Sequence, residues 1–134
     1  MSKKYLKKII AQSPSDIQII SACCFEATVK LENIKYLKKN KIFLMFVERY
    51  NLESSKKKNK INSIIKFEYI ESSKSKNIYQ SELKITIKLI AIEVFKRQHN
   101  YEIILLFSNN AFITLTAEII EVTLEDQKLN DKNN

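Results

Sequence analysis

The stretch Tyr101–Leu124, YEIILLFSNNAFITLTAEIIEVTL, anchors the fold that we predict for this chain. Two apolar runs, rich in β-branched and aromatic residues, flank the pair Asn109-Asn110. Tight hairpin turns place residues at positive φ, and Asn tolerates that conformation better than most non-glycine residues. Because the chain contains no glycine, an Asn pair suits the turn, and the stretch predicts a two-stranded β-hairpin.

The second run of this hairpin changes its alternation part-way. Ile113, Leu115 and Ala117 share one parity, whereas Ile120 and Val122 share the other. Since neighbouring side chains of a strand point to opposite faces, the change predicts a bulge near Ile119-Ile120 in one long last strand. A terminal helix that begins near Ala117 is the alternative.

The segment Ser13–Asp16, with sequence SPSD, predicts the start of a helix. Its Ser provides an N-cap, Pro occupies the first helical position, and an acidic residue follows in the first turn. Ile17, Ile20 and Cys24 then recur at helical spacing and form an apolar stripe. We therefore expect a helix to about Glu26 that packs this stripe on the core.

The remaining apolar segments predict strands. The run Ile42–Val47 is continuously apolar, which is typical of a central strand. Two polar stretches, residues 52–62 and 72–77, predict exposed loops. The predicted strands, apart from the hairpin, are Tyr5–Ala11, Ala27–Leu31, Ile34–Leu37, Ile42–Val47, Ile61–Ile70 and Leu83–Phe95, the last with a kink near Ile90.

This order of elements predicts an α+β domain, in which one N-terminal helix packs on a mostly antiparallel, curved sheet. A small barrel of the pleckstrin-homology-like type is a candidate architecture. With 134 residues the chain is long enough for one domain, which we place at residues 1–125. Residues 126–134 are polar, and we expect them to form a disordered tail.

Several kinds of chemistry are disfavoured by residue counts. One histidine, His99, excludes a histidine-based triad or a multi-histidine zinc site. The lack of glycine removes the phosphate-binding loops and the nucleophile elbow. Cys23 and Cys24 are adjacent on the predicted helix, so we expect two reduced thiols. We predict no catalytic residue, no cofactor and no metal.

The net charge of +8 rests almost entirely on lysine, because Arg49 and Arg97 are the only arginines. AT-rich codons encode Lys, Ile and Asn, so a biased genome produces such a composition without selection for a polyanion. Phosphate sites favour the bidentate guanidinium, which is nearly missing here. The charge is therefore a weak indication of nucleic-acid binding.

One candidate interaction surface follows the predicted central strand. Arg49, Tyr50 and Glu53 occur where that strand meets a polar loop, although an ordinary ion pair between Arg49 and Glu53 is the simpler account of the charges. The loop itself is rich in lysine and is the candidate for polyanion binding. The predicted surface comprises Arg49, Tyr50, Glu53, Lys56, Lys57, Lys58 and Lys60.

Four segments together resemble a known family. They are Asp16–Ala22 with Glu26-Ala27, Arg49–Glu53, Leu89–Ile92, and Ile113–Leu115 leading to Glu118–Glu121. In these segments the chain, from about Leu6 to Asp126, is similar to a bacterial, mainly alphaproteobacterial, family known as domain-of-unknown-function family 2948. That family usually has Trp where Leu52 stands and Gly where Asn77, Asn109 and Asn110 stand. The resemblance implies a fold and a cytoplasmic location, and it carries over no catalytic residue.

We expect a small cytosolic, non-enzymatic module that binds another protein. A homo-oligomer formed through an exposed strand edge is a further possibility. Weak nucleic-acid binding through the lysine-rich loop is the first alternative, and an enzyme with an unrecognised carboxylate site, such as Glu118 with Glu121, is the second. No stretch approaches the roughly 20 apolar residues of a membrane span, so we expect no membrane association.

Overall fold

The computed structural model describes residues 6–50 and 60–127, which contain one α-helix and ten β-strands. The helix, α1, is Pro14–Cys23. The strands are β1 Lys8–Ala11, β2 Ala27–Lys30, β3 Ile34–Leu37, β4 Ile42–Tyr50, β5 Lys60–Phe67, β6 Ile70–Lys76, β7 Thr86–Lys96, β8 Tyr101–Phe107, β9 Phe112–Ala117 and β10 Val122–Asp126.

The strands form one antiparallel sheet in the order β1-β10-β5-β4-β2-β7-β8-β9-β6, and β3 pairs with β4. Within the described ranges, the end strands β1 and β6 do not pair with each other, so the sheet is open. The predicted antiparallel sheet with one N-terminal helix is confirmed, although the chain is mostly β. The predicted barrel and pleckstrin-homology-like architecture are not supported, because closure would need a ladder between the two ends.

The core lies on one face of the sheet, the inner face. In β4, Phe43, Met45 and Val47 are buried at alternate positions, and β4 pairs with β5, β2 and β3, so its predicted central place is confirmed. Helix α1 packs against β7 and β1. The register between β7 and β8 shifts between Leu89 and Ala91, where the sequence predicts a kink, and beyond this shift the Ile92 N–H donates to Ser21 Oγ of the helix at 3.0 Å.

The helix begins as the sequence predicts. Ser13 is extended, and its Oγ accepts a hydrogen bond from the Asp16 N–H at 3.2 Å, with Pro14 as the first helical residue. The helix ends at Cys23 rather than near Glu26. The reason is that Glu26 adopts a φ of 64° and donates its N–H to the Leu89 carbonyl, which turns the chain into β2.

We expect Ser13→Ala to lower the free energy of unfolding by about 1 kcal/mol, because the Asp16 N–H loses its acceptor at the helix start. Urea denaturation measures the change. The matched control is Ser13→Asn, which keeps a good capping side chain and should stay near the wild type. Equal losses in both variants would show that the cap is not what Ser13 contributes.

The hairpin is confirmed, with β8 and β9 as its strands. Asn109 and Asn110 have φ values of 64° and 58°, and the Ala111 N–H donates to the Ser108 carbonyl at 3.4 Å. Asn77 Nδ2 also donates to the Asn110 carbonyl at 2.7 Å, and Asn77 itself has the predicted positive φ. Left-handed conformations therefore occur at all three of these Asn residues.

At this turn we expect Asn110→Gly to leave the stability unchanged or raised. Asn110→Val should lower the free energy of unfolding by about 1–2 kcal/mol, because a β-branched side chain is strongly disfavoured at positive φ. Thermal denaturation of the two variants provides the comparison. If Gly and Val gave the same midpoint, the left-handed conformation would not limit stability at this position.

Two sequence predictions at the end of the chain were wrong. The last apolar run is not one bulged strand or a helix: β9 ends at Ala117, and β10 then leaves the hairpin to pair with β5 and β1. The predicted tail began at Asp126, but Asp126 is a buried residue of β10. The polar stretch 72–77 is also largely a strand, β6, since its backbone pairs with β9.

Candidate functional site

The predicted interaction surface includes a residue that is buried in the structure. Arg49 lies in β4 with its side chain turned inward, and at 2% exposure it is buried, so its prediction as a surface residue was wrong. Tyr50 is half-buried, and Lys60 Nζ lies 5.5 Å from its ring centroid. The structure therefore brings together Tyr50 and Lys60, two members of the predicted surface. The other predicted members lie outside the described residues: Glu53, Lys56, Lys57 and Lys58.

Arg49 belongs to a buried polar network between the ends of β4, β5 and β10. Its Nη2 is 2.8 Å from Asp126 Oδ2, and its Nε is 3.1 Å from Asp126 Oδ1. Ser63 Oγ donates to the same Oδ1 at 2.7 Å, and the Lys7 N–H donates to Oδ2 at 2.8 Å. This bidentate geometry is the strongest form of an arginine–carboxylate pair.

The network holds Asp126 in its ionised form. Burial by itself raises the pKa of Asp126, but the hydrogen bonds from Arg49, Ser63 and the Lys7 N–H, together with the Arg49 charge, outweigh it and leave the pKa below its ordinary value. In the described part of the chain, every buried side-chain nitrogen or oxygen has a hydrogen-bond partner. A saturated, buried network of this kind holds the ends of β4, β5 and β10 together.

The lowered pKa of Asp126 predicts acid sensitivity. Its stabilising contribution is complete above the pKa of the unfolded chain, about 4, and is lost as the pH falls through the lower pKa of the folded state. We expect the free energy of unfolding to fall more steeply below pH 4 in the wild type than in Arg49→Met/Asp126→Leu, which lacks both charges. Urea denaturation between pH 7 and pH 3 makes this comparison, and parallel curves would contradict it.

Cys24 lies close to this network, and its thiol is unreactive at physiological pH. It is fully buried, and burial raises the pKa of its thiol to about 12, against the opposing charge of Arg49. A thiol with such a pKa stays neutral at physiological pH and is a poor nucleophile. Cys23 is half-buried, and both cysteines are free, as predicted.

The two glutamates of the alternative carboxylate site have separate partners. Glu118 and Glu121 lie in the turn between β9 and β10 rather than on one strand. Glu118 is 3.9 Å from Lys41 Nζ, whereas Glu121 Oε1 accepts a hydrogen bond from Gln12 at 3.3 Å. Among the described residues, no three ionisable side chains of the metal-binding types cluster together.

A groove of about 430 Å³ separates the edges of β3 and β6. Ile34 and Tyr36 of β3 form one wall, and Ser73 and Ser75 of β6 form the other. Its floor includes two core side chains, Phe43 of β4 and Ile113 of β9. Each flanking strand pairs on one side only within the described sheet, β3 with β4 and β6 with β9.

Contacts at one end show that the two edges face each other. There the Ile70 N–H donates to the Lys41 carbonyl at 2.9 Å, and the Tyr36 hydroxyl donates to the Ile70 carbonyl at 3.0 Å. Both backbone groups of Ile70 therefore point away from β9. The groove opens along β6 beyond this closed end, towards Lys76.

Exposed apolar residues lie at the rim of the groove, and exposed lysines lie on its flanking strands. Tyr79 and Leu83, which follow β6, are 57% and 46% exposed. Lys35 on β3, together with Lys74 and Lys76 on β6, is also exposed. Exposed apolar side chains next to unpaired strand edges are typical of protein-binding surfaces.

A second, larger hollow of about 710 Å³ lies beside β2 and β4, which share the single pair Thr28 and Glu48. Most of the residues that line it have polar or charged side chains, and Lys60 already pairs with Glu48 at 3.8 Å. We regard the β3–β6 groove as the better site, because it joins unpaired backbone edges to an apolar floor. Sequence reasoning misses the groove, since the polar composition of β6 predicts a loop rather than a strand.

A family model described as "Protein of unknown function (DUF2948)" matches residues 7–133. The chain belongs to this family. The resemblance seen in the sequence is thereby confirmed, and the match extends over both walls of the β3–β6 groove. No curated protein matches the DUF2948 chain.

One solved structure similar to this DUF2948 chain is the crystal structure of an uncharacterized protein from Neisseria gonorrhoeae. The two share 16% sequence identity with a TM-score of 0.45, over 89% of this chain and 97% of that one. In the described parts of the DUF2948 chain, no helix has the length and apolar character needed to cross a membrane.

Proposed function

We propose that this chain is a non-enzymatic, protein-binding module and that the β3–β6 groove is its binding surface. The observation that carries the proposal is the pair of unpaired strand edges that face each other across an apolar floor. An unpaired edge presents backbone donors and acceptors in a fixed row, to which another polypeptide can pair. The apolar rim residues Tyr79 and Leu83 add area that a partner protein would cover.

The arginines favour a protein over a nucleic acid as partner. Arg49 is buried against Asp126, and Arg97 Nη2 lies 2.5 Å from Glu102 Oε1 on the surface. Both guanidinium groups therefore already bind carboxylates of the same chain. Since guanidinium is the preferred group for bidentate phosphate recognition, nucleic-acid binding would depend on lysine alone and be weak and salt-sensitive.

Site-specific photo-crosslinking in the native host tests the proposal. A photoreactive amino acid at Leu83 should yield an adduct with another polypeptide, because that side chain lies at the rim of the groove. The matched control carries the same group at Glu93, which is exposed on β7 and does not line the groove. No adduct from Leu83, or the same adducts from both positions, would count against the groove as a protein-binding surface.

A further inference from the structure

We propose that the groove binds an extended, acidic peptide segment of a partner protein, which pairs as an additional strand with the free edge of β6. This inference rests on the proposed function and specifies the ligand class. Strand addition of this kind takes affinity from backbone hydrogen bonds and specificity from alternate side chains. Three properties of β6 support it: its length, its inward residues and its charge.

The length of the free edge fits a short peptide. Beyond Ile70, whose backbone is already bonded to Lys41 and Tyr36, residues 72–76 of β6 pair with β9 on one side only. Five residues of strand span roughly 17 Å, since each residue advances about 3.3 Å. An extended peptide of about five residues therefore matches the open edge.

The inward residues of β6 explain why the groove exists. Ser73 and Ser75 pair directly with Leu115 and Ile113 of β9, so their side chains share the core-facing side of the sheet. Neighbouring strands place large apolar side chains at inward positions, whereas β6 places two small hydroxyl residues there. The groove beside these serines, whose lining includes Phe43 and Ile113, can receive the apolar side chains of a bound strand.

The outward residues define the charge of the ligand. Lys74 and Lys76 alternate with these serines and are exposed, and Lys35 is exposed on the opposite wall. A peptide whose alternate residues are apolar and acidic would place the apolar ones over the floor and its carboxylates beside these lysines. The charge complementarity thus selects an acidic strand.

The same lysines disfavour a second copy of this chain as the occupant. If the β6 edges of two copies paired, Lys74 and Lys76 of each would face like charges of the other, which destabilises a sheet. Lysine on an edge strand is also a common protection against self-association. An acidic partner removes this repulsion, so the edge remains available to that class of peptide.

The experiment uses the whole chain and a defined probe, a fluorescein-labelled nine-residue peptide of alternating Val and Glu. Fluorescence anisotropy should show saturable binding that weakens as salt is raised. We expect binding at least tenfold weaker for two controls: the same peptide with alternate backbone amides methylated on its pairing edge, and a Val/Lys peptide. Amide hydrogen exchange should slow in residues 72–76 when peptide binds, but not in β1, the other end strand.

Two charge variants provide the matched comparison on the protein. Lys74→Glu/Lys76→Glu should weaken binding of the Val/Glu peptide about tenfold, because two favourable charge contacts become repulsive. Lys8→Glu/Lys88→Glu changes the net charge equally at exposed positions outside the groove and should leave binding within about twofold of the wild type. Circular dichroism shows whether each variant is folded.

Each contrary outcome has a definite meaning. Lack of binding, unchanged exchange in residues 72–76, or equal effects of the two charge variants would overturn strand addition to β6. Slowed exchange there that grows with protein concentration alone would instead identify a second copy as the occupant. A crosslink from Leu83 together with a negative peptide result would leave the protein-binding module standing and remove only this ligand class.

Discussion

Replacement of Asp126 by Asn is expected to lower the free energy of unfolding by about 3–5 kcal/mol, measured by urea denaturation at pH 7. The Arg49 guanidinium and the Asp126 carboxylate are both buried, and two hydrogen bonds join them. Asn has nearly the same shape but no charge. The substitution therefore leaves a buried cation without its counter-ion, which is much more costly than losing an exposed pair.

The matched control is Glu125→Gln, which removes one carboxylate from the neighbouring, exposed position of β10. We expect that change to stay within about 0.5 kcal/mol of the wild type. The double variant Arg49→Met/Asp126→Leu should lose less than Asp126→Asn, because it removes both charges and leaves neither uncompensated. Similar losses from Asp126→Asn and Glu125→Gln would contradict the structural role of the buried pair.

Sequence reasoning identified the elements whose signals are local. The cap at Ser13 and the turn at Asn109-Asn110 depend on residues within one turn of each other, and both have the predicted geometry. The Arg49–Asp126 pair joins residues 77 positions apart in the chain. No local pattern distinguishes such an aspartate from a polar tail, so local patterns alone assign Asp126 to the tail and Arg49 to the surface.

Strand β6 shows a second limit of local patterns. Beyond Ile70 it consists of Glu, Ser and Lys, so it lacks the apolar alternation by which half-buried strands are recognised. Its conformation comes from the ladder with β9, a tertiary contact. The groove could not be predicted for the same reason, since it depends on strand order: β6 must end the sheet and lie opposite β3.

The sequence indicated the interruption between β9 and β10, but it did not indicate that β10 pairs with other strands. The change of alternation near Ile119 and Ile120 marked a real interruption of the strand. A bulge was the simplest local explanation, but the turn after Ala117 carries the chain to a different part of the sheet. There β10 lies between β5 and β1, which brings Asp126 to Arg49.

Phe67→Ala is the core substitution for which we expect the largest loss, about 3–5 kcal/mol of unfolding free energy. Phe67 is 0% exposed and pairs with Phe43 of β4 on one side and Val122 of β10 on the other. Its ring meets that of Phe43 edge to face, with centroids 5.9 Å apart. Removal of the ring leaves a cavity that three strands cannot close without breaking their ladders.

Phe46→Ala is the matched control for Phe67→Ala, because it removes the same ring from the outer face of the adjacent strand, where Phe46 is 38% exposed. Urea denaturation should show a much smaller loss, since less apolar surface is returned to water and no closed cavity forms. Phe43 also lies at the floor of the β3–β6 groove, so a change at Phe67 should loosen that floor as well. Equal losses in the two variants would show that stability does not depend on packing on the inner face.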